Sequence, residues 1–391
     1  MLTPLSPFTR PVYVMAKPAG SACNLRCRYC YYQDKLPLTK MPDNILEAYI
    51  QQYIECQTGD DVLFTWHGGE PTLRGLEFYK KVVRLQRRYA GHRHVDNALQ
   101  TNGTLLTPEW CRFLHQQQWL VGISIDGPAA LHDVYRLDAQ DRPTHARIME
   151  AIAMLDYYGV EWNAMATVNA VTAQHPLEFY HFFKEIGCKY LQFTPVVEPL
   201  EPQSLTGQPT ECAVAPYCVT PEAWGTFLCT IYDEWVRHDV GEVFVQLFDA
   251  TLSNWVGVLP GVCTMAELCG HAAVIEADGS VYSCDHFVFP EHRLGNILET
   301  PLATLLYDER QQRFGLTKRN TLTRQCRACP WLFACHGDCP RVRLARSEDG
   351  EAGHNYLCAG YRRFFAHVAP TMDFMRDAYL AGESPATVMQ R

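Results

Sequence analysis

The sequence predicts an α/β protein in which a full or partial (β/α) barrel precedes a smaller cysteine-rich domain. Three observations carry that expectation. Between about Val12 and Asp239, β-rich runs ending in turn residues alternate with amphipathic stretches. The alternation stops near residue 240. Beyond it the chain becomes a series of short, cysteine-punctuated elements whose apolar content is too thin to hold together unaided. The expected domains are therefore 1–240, with a Pro-rich polar insertion at 198–220, and 241–391, closing on a helix.

The β-rich runs are PVYVMAKP (11–18), DVLFTWHGG (61–69), VDNALQTNG (95–103), LVGISIDG (120–127), WNAMATVNA (162–170) and YLQFTPVV (190–197). Helix-like stretches follow them in turn: NILEAYIQQYIECQ, LEFYKKVVRLQRRYA, PEWCRFLHQQQ, ARIMEAIAMLDYYG, PLEFYHFFKEIG and, after the insertion, PEAWGTFLCTIYDEWVRHD. Pro108 and Pro176 stand near helix starts, where a missing N–H costs nothing. Six such units in series imply parallel strands joined by right-handed crossovers. Functional residues are then expected at the C-terminal ends of the strands. In the second domain, 272–288 (AAVIEADGSVYSCDHFV) reads as a hairpin around Asp278-Gly279.

Composition narrows the function. With 47% apolar and 20% charged residues in 391, the chain is globular, not disordered, collagen-like or a coiled coil. No apolar run reaches the ~18 residues of a membrane helix. A net charge of −9 argues against nucleic-acid binding. The opening residues lack the apolar core of a secretory signal, so a cytoplasmic location with reduced thiols is expected. Seventeen cysteines then need an explanation other than disulfides. Cys56, Cys111, Cys188 and Cys229 sit singly in regular stretches and read as core residues. Cys212 and Cys218 fall in the insertion, with solvent-side thiols as the default. The other eleven cluster at short spacings, which suits metal or iron–sulfur ligation.

Cys23, Cys27 and Cys30 form C-x3-C-x2-C directly after the first strand. Three thiolates can hold three irons of a [4Fe–4S] cube and leave the fourth open, whereas a closed site wants four ligands. Zinc with a distant fourth ligand such as His67 is the alternative. Tyr29 lies inside the motif, and the second strand ends in His67-Gly68-Gly69-Glu70-Pro71, whose glycines allow close backbone approach to a ligand.

Together these features resemble the radical S-adenosylmethionine enzymes, whose loop is C-x3-C-x-aromatic-C and whose second strand ends in a GGEP-like motif. The resemblance covers about residues 10–240. It implies a partial (β/α)6 barrel and a cluster on Cys23, Cys27 and Cys30. The open iron of that cluster binds S-adenosylmethionine, which is cleaved reductively to a 5′-deoxyadenosyl radical. It also matches Tyr29, Gly69, Ser124, Arg136 and Val197 to cofactor-contacting positions. Taken singly, each passes for a turn, cap or core residue, Val197 above all.

Eight further cysteines equal two four-ligand sites: Cys263, Cys269, Cys284, Cys326, Cys329, Cys335, Cys339 and Cys358. Zinc ribbons would also satisfy the count. The pattern C-x5-C-x14-C, C-x2-C-x5-C-x3-C and a last Cys resembles the SPASM extension of peptide-modifying radical enzymes. That resemblance implies two auxiliary [4Fe–4S] clusters, three clusters in all. Interleaved ligation would give Cys263, Cys269, Cys284 and Cys339 to one, and Cys326, Cys329, Cys335 and Cys358 to the other. Local pairing of Cys339 with its sequence neighbours remains open.

Asp285, read from its surroundings alone, caps a hairpin. However, CDHF (284–287), with QTNGTLLT, WNAMATVN and PGVCTM, resembles the anaerobic sulfatase-maturating enzymes along almost the whole chain. By that resemblance Asp285 is the catalytic proton acceptor. The implied reaction oxidises a Cys or Ser in a sulfatase's C/S-x-P/A-x-R motif to Cα-formylglycine. It needs the sulfatase polypeptide and a low-potential electron donor such as flavodoxin or ferredoxin. Two alternatives stand beside this reading. One is a maturase of small peptide precursors, disfavoured because only about 20 residues precede Cys23. The other is a zinc- or cluster-stabilised interaction protein.

Overall fold

All six expected strands form, each starting within two residues of its pattern: β1 (Tyr13–Ala16), β2 (Asp61–Trp66), β3 (His94–Thr101), β4 (Leu120–Ser124), β5 (Trp162–Val168) and β6 (Tyr190–Pro195). Their helices follow at Asp43–Glu55, Leu76–Tyr89, Pro108–Gln116, His145–Tyr158, Pro176–Glu185 and Pro221–His238. Pro108, Pro176 and Pro221 occupy the first turns of their helices, and Thr107 and Thr220 cap theirs by accepting from the N–H of Trp110 and Ala223. The computed structural model describes residues 13–33, 40–200 and 212–391. Among them no helix is long and apolar enough to cross a membrane.

The described chain gathers into two units that interleave along the sequence. The first runs to Ser124 and adds Arg136–Trp162 and Leu268–Leu316. The second takes Ile125–Tyr135, Asn163–Glu267 and Thr317–Arg391. Residue 240 thus marks the end of the β-then-α alternation rather than the edge of a compact unit.

In the first unit β1, β2, β3 and β4 are parallel neighbours. The expected hairpin also forms, as β8 (Ala272–Ile275) and β9 (Ser280–Tyr282), after a short β7 (Phe244–Val245). Its turn closes with Gly279 N–H donating to Glu276 O at 3.0 Å. β8 lies parallel beside β1, Tyr13 opposite Ala272 and Ala16 opposite Ile275, and β10 (Arg293–Asn296) extends the sheet beyond β9. The strand order here is β10-β9-β8-β1-β2-β3-β4. Behind the strands Tyr49, Phe64, Trp66, Tyr79 and Trp119 are fully buried, meeting mostly edge to face. Each such side chain contributes about 1.5–3 kcal/mol of burial, so this face anchors the strand ends. Cys111 is buried there, while Cys56 is half-buried at a helix end.

In the second unit β5, β6 and β7 are parallel. The helices Pro221–His238 and Cys358–Leu380 pack against each other through Trp224 on Tyr361 and Tyr232 on Phe364. Cys188 and Cys229 are buried, as their surroundings suggested. Cys218 corrects the default given to the insertion: it is buried, and its sulfur accepts the Glu198 N–H at 3.1 Å. The cause is local pairing, Ala215 N–H to Glu198 O at 2.9 Å and Leu200 N–H to Ala213 O at 2.8 Å, which turns the returning chain inward. Cys212 is half-buried, and 201–211 of the insertion lie outside the described residues.

The two helices approach through glycines. A Cβ on Gly225 would sit 2.8 Å from Gly360 Cα, and one on Gly360 would sit 2.3 Å from the Pro221 carbonyl oxygen. Gly225→Ala should therefore cost about 1–3 kcal/mol through overpacking. Gly59→Ala, at an exposed turn with open space around it, should stay within about 0.5 kcal/mol of the parent. Thermal or denaturant melts of both variants check this, and equal midpoints would refute the close-approach argument.

Candidate active site

The cysteine loop is held by the end of β2. Gly69 N–H donates to Gly20 O at 2.9 Å and Glu70 N–H to Ala22 O at 2.7 Å. A Cβ on Gly69 would lie 2.1 Å from the Ala22 carbonyl oxygen. This glycine is thus required by the backbone that carries Cys23. Glu70 is buried and gathers four donors: Thr72 N–H at 2.9 Å, Thr72 Oγ1 at 2.6 Å, Thr101 Oγ1 at 2.7 Å and Asn102 N–H at 2.8 Å. Asn102, just past β3, then reaches Asn24 Oδ1 at 3.0 Å and the Cys23 sulfur at 3.8 Å.

Burial of its sulfur, the Glu70 carboxylate and the neighbouring thiols of Cys27 and Cys30 push the Cys23 thiol up to about 12. Three thiols on one loop, which become thiolates when a cationic group binds them, are a donor set that fits an iron–sulfur cluster. Among the described residues no three metal-binding side chains are drawn together to ligating distance.

Four of the five expected cofactor contacts belong to this first unit. The Arg136 guanidinium lies 5.6 Å over the Tyr29 ring, and both residues are buried. The adjoining backbone is tied to the cysteine loop by Arg26 N–H to Leu137 O at 2.8 Å. Ser124 ends β4 and accepts from Gln100 Nε2 at 3.0 Å. Gly69 has been placed above. Val197 belongs to the second unit, buried just past β6.

Asp285 follows from the β1–β8 pairing. Lys17 is the first residue past β1 and Glu276 the first past β8, so the strand ends present an ammonium and a carboxylate side by side. The chain returning from β9 adds Asp285. Lys17 is wholly buried; it forms an ion pair with Asp285 Oδ1 and stands 4.0 Å from Glu276 Oε1. The Lys17 ammonium lies 3.3 Å from the Tyr32 ring centroid, and the Tyr32 hydroxyl donates to Glu276 Oε2 at 2.5 Å. The Tyr31 hydroxyl donates to Asp285 Oδ2. Burial opposes ionisation of Asp285, but Lys17, His67 and His286 outweigh it and hold the carboxyl well below the usual carboxylate range. Burial pushes His67 the other way, down from its ordinary value, even with Asp285 beside it. His67 therefore stands with Asp285 in this network, and its Nδ1 accepts the Gly68 N–H at 2.7 Å.

In the second unit, Cys326, Cys329, Cys335 and Cys358 line one cavity of about 240 Å³. Cys339 is not among its lining residues. Burial, then the thiols of Cys326 and Cys329, push Cys358 up to about 12, and Cys335 is raised by burial with Asp338, Cys358 and Cys326 nearby. Four thiols lining one space are a donor set that fits a cluster. Cys263 is raised by burial too, and Lys318 Nζ donates to its carbonyl at 2.5 Å and to that of Thr264 at 2.7 Å. Cys269 and Cys284 lie in the first unit.

Sequence reasoning missed Lys17, Glu276, Tyr31 and Tyr32. Their signal was position: a lysine at the end of the first strand, a glutamate at the end of a hairpin strand, and two tyrosines directly after Cys30.

Comparisons with known proteins identify the family. The radical SAM superfamily matches residues 18–183, and the SPASM iron–sulfur cluster-binding domain matches 267–330. The chain is 52% identical over 400 residues to the serine-type anaerobic sulfatase-maturating enzyme of Bacteroides thetaiotaomicron, covering 99% of this chain and 97% of that one. It is 33% identical over 371 residues to the cysteine-type enzyme of Clostridium perfringens, covering 93% and 97%. Among solved structures, native anSMEcpe with bound AdoMet and the Kp18Cys peptide superposes with a TM-score of 0.85 at 32% identity, over 93% of this chain and 99% of that chain. The chain belongs to the anaerobic sulfatase-maturating enzymes, α/β radical SAM proteins with a SPASM domain that oxidise a sulfatase Ser or Cys to formylglycine.

Proposed function

We propose that this enzyme is a serine-type maturase in which Asp285 accepts the substrate proton. The observation that carries the reading is the Asp285 carboxylate itself: held at Oδ1 by Lys17 and at Oδ2 by the Tyr31 hydroxyl, and next in sequence to Cys284. The serine preference is supported by likeness: relatives described as serine-type are 52%, 38% and 38% identical, and those described as cysteine-type 33%, 32% and 34%.

Converting a CH2–OH to an aldehyde removes one hydrogen atom, one proton and one electron. The groups bound by the cysteines supply what side chains lack, a 5′-deoxyadenosyl radical and an acceptor for the last electron. Cys23, Cys27 and Cys30 are the ligands of the first. In our assignment Cys263, Cys269, Cys284 and Cys339 hold one auxiliary cluster, and Cys326, Cys329, Cys335 and Cys358 the other. The cavity lined by the last four and not by Cys339 supports that partition. Tyr29, Gly69, Ser124, Arg136 and Val197 form the S-adenosylmethionine site. Arg136 contributes charge and Ser124 a hydroxyl, while Gly69 holds the loop against the end of β2.

The chain's own part in the proton step is electrostatic. An acid as strong as Asp285 is a weak base toward an ordinary alcohol. It suits a proton that becomes labile only once the neighbouring carbon is a radical. In function the chain divides near residue 240, with radical generation before it and cluster binding mostly after. A sulfatase polypeptide with the C/S-x-P/A-x-R motif is the substrate, in the cytoplasm, with flavodoxin or ferredoxin as donor. The net charge of −9 favours approach of an Arg-bearing peptide.

Cys27→Ala should abolish 5′-deoxyadenosine formation under dithionite, because two thiolates cannot assemble the open-iron site. A wild-type rate in that variant would displace the loop from its role. Anaerobic turnover of paired peptides that differ only in Ser or Cys at the motif tests the preference. Formylglycine from the serine peptide is expected by mass spectrometry, and a strictly cysteine-dependent product would reverse the assignment. Asp285→Asn keeps size and every proposed ligand. Cofactor cleavage should persist while formylglycine falls by about two to four orders of magnitude. Full iron with near-normal formylglycine would remove Asp285 from the mechanism.

A further inference from the structure

We propose that Lys17 is a positioning residue for the oxidation: its buried ammonium fixes the Asp285 carboxylate in the orientation that receives the substrate proton. The proposal rests on the reading of Asp285 as proton acceptor.

The backbone places the ammonium first. Lys17 N–H donates to Ile275 O at 2.9 Å, continuing the β1–β8 ladder one residue past both strands. The side chain is 0% exposed, and an ammonium buried that far costs several kcal/mol unless charges and dipoles answer it. Three groups do: Asp285, Glu276 and the face of Tyr32.

The two carboxylates are not equivalent. Glu276 is 2% exposed and its second oxygen is taken by the Tyr32 hydroxyl, so it closes the network inward. Asp285 is 17% exposed and is the carboxylate of the pair that a substrate can reach. A free aspartate rotates broadly about its last torsion. Here Lys17 takes Oδ1 and the Tyr31 hydroxyl takes Oδ2, which fixes the carboxylate plane at both ends. An ionised carboxylate has about four lone-pair sites, and with Oδ1 buried beside Lys17 it is Oδ2 that can keep one for a substrate hydroxyl. Lysine suits this role because its charge is compact and reaches one oxygen, whereas an arginine fork would occupy both. No bond to Lys17 forms or breaks in the step.

The test compares Lys17→Met, Asp285→Asn and the double variant as full-length, anaerobically reconstituted enzyme. Iron content, 5′-deoxyadenosine and formylglycine from a serine-motif peptide are measured on the same preparations. Lys17→Met fills the same space without charge. It should keep its iron and leave KM for the peptide near the parent value. Its kcat for formylglycine should fall about tenfold to a hundredfold, the usual scale for a supporting residue. The double variant should be no slower than Asp285→Asn alone, because Lys17 acts through Asp285. Lys17→Arg, which restores a cation, should recover part of the lost kcat. It is judged by the same comparison if Lys17→Met does not fold.

A Lys17→Met enzyme with kcat within twofold of the parent would overturn the proposal. So would losses that multiply in the double variant, or activity that falls only in step with iron. If Asp285→Asn itself forms formylglycine normally, the reading of Asp285 fails and the Lys17 proposal falls with it. A slow Asp285→Asn beside a normal Lys17→Met refutes Lys17 alone.

Discussion

The parallel pairing of β8 with β1 is the constraint on which the rest of the first unit depends. It joins residues more than 250 positions apart and sets their register, Ala16 opposite Ile275. One residue further on, the register places Lys17 beside Glu276, and the hairpin return places Asp285 on the same ammonium. A one-residue slip would turn every side chain of β8 to the other face. Both faces of β8 are buried, Ala273 and Ile275 on one and Val274 on the other, so the meeting of charges specifies the register: a slip would part Glu276 from Lys17.

Around that pairing the cysteine loop is held mostly by backbone. Gly69 lets the β2 end run against Ser21 and Ala22, and the buried Glu70 collects donors from the turn after it and from the end of β3. None of these contacts depends on a bound group. Within that frame the Cys23 thiol is raised by desolvation and by the Glu70 carboxylate. The same economy holds in the second unit, where the helix beginning at Cys358 is positioned by the glycine contact between Gly225 and Gly360.

What the sequence reveals and what it hides divide along physical lines. The six β-then-α units were legible because each is local, a period-2 run followed by a period-3.6 run with Pro at several helix starts. The hairpin at Asp278-Gly279 was legible for the same reason. Its attachment to β1 was not, since strand partnership across the chain leaves no local trace. Cys218 was misread because composition alone marks 198–220 as polar loop, while its burial follows from pairing between Glu198 and Ala215. The cysteine clusters announced themselves by spacing, but the residues that answer their neighbourhood's charges did not. Lys17 and Glu276 each look like an ordinary strand-end residue until the two strands meet.

The electrostatics of Asp285 set the terms of the chemistry. A carboxylate pressed by Lys17, His67 and His286 stays charged across the working range and has little appetite for an ordinary proton. Under the proposed role of Asp285, such a carboxylate would be a weak base toward a resting serine hydroxyl and a competent one once the carbon beside that hydroxyl has become a radical. The order of the two events would then follow from a difference in proton affinity rather than from a moving part. The network that enforces it, one buried ammonium shared between two carboxylates and an aromatic face, is complete within the first unit.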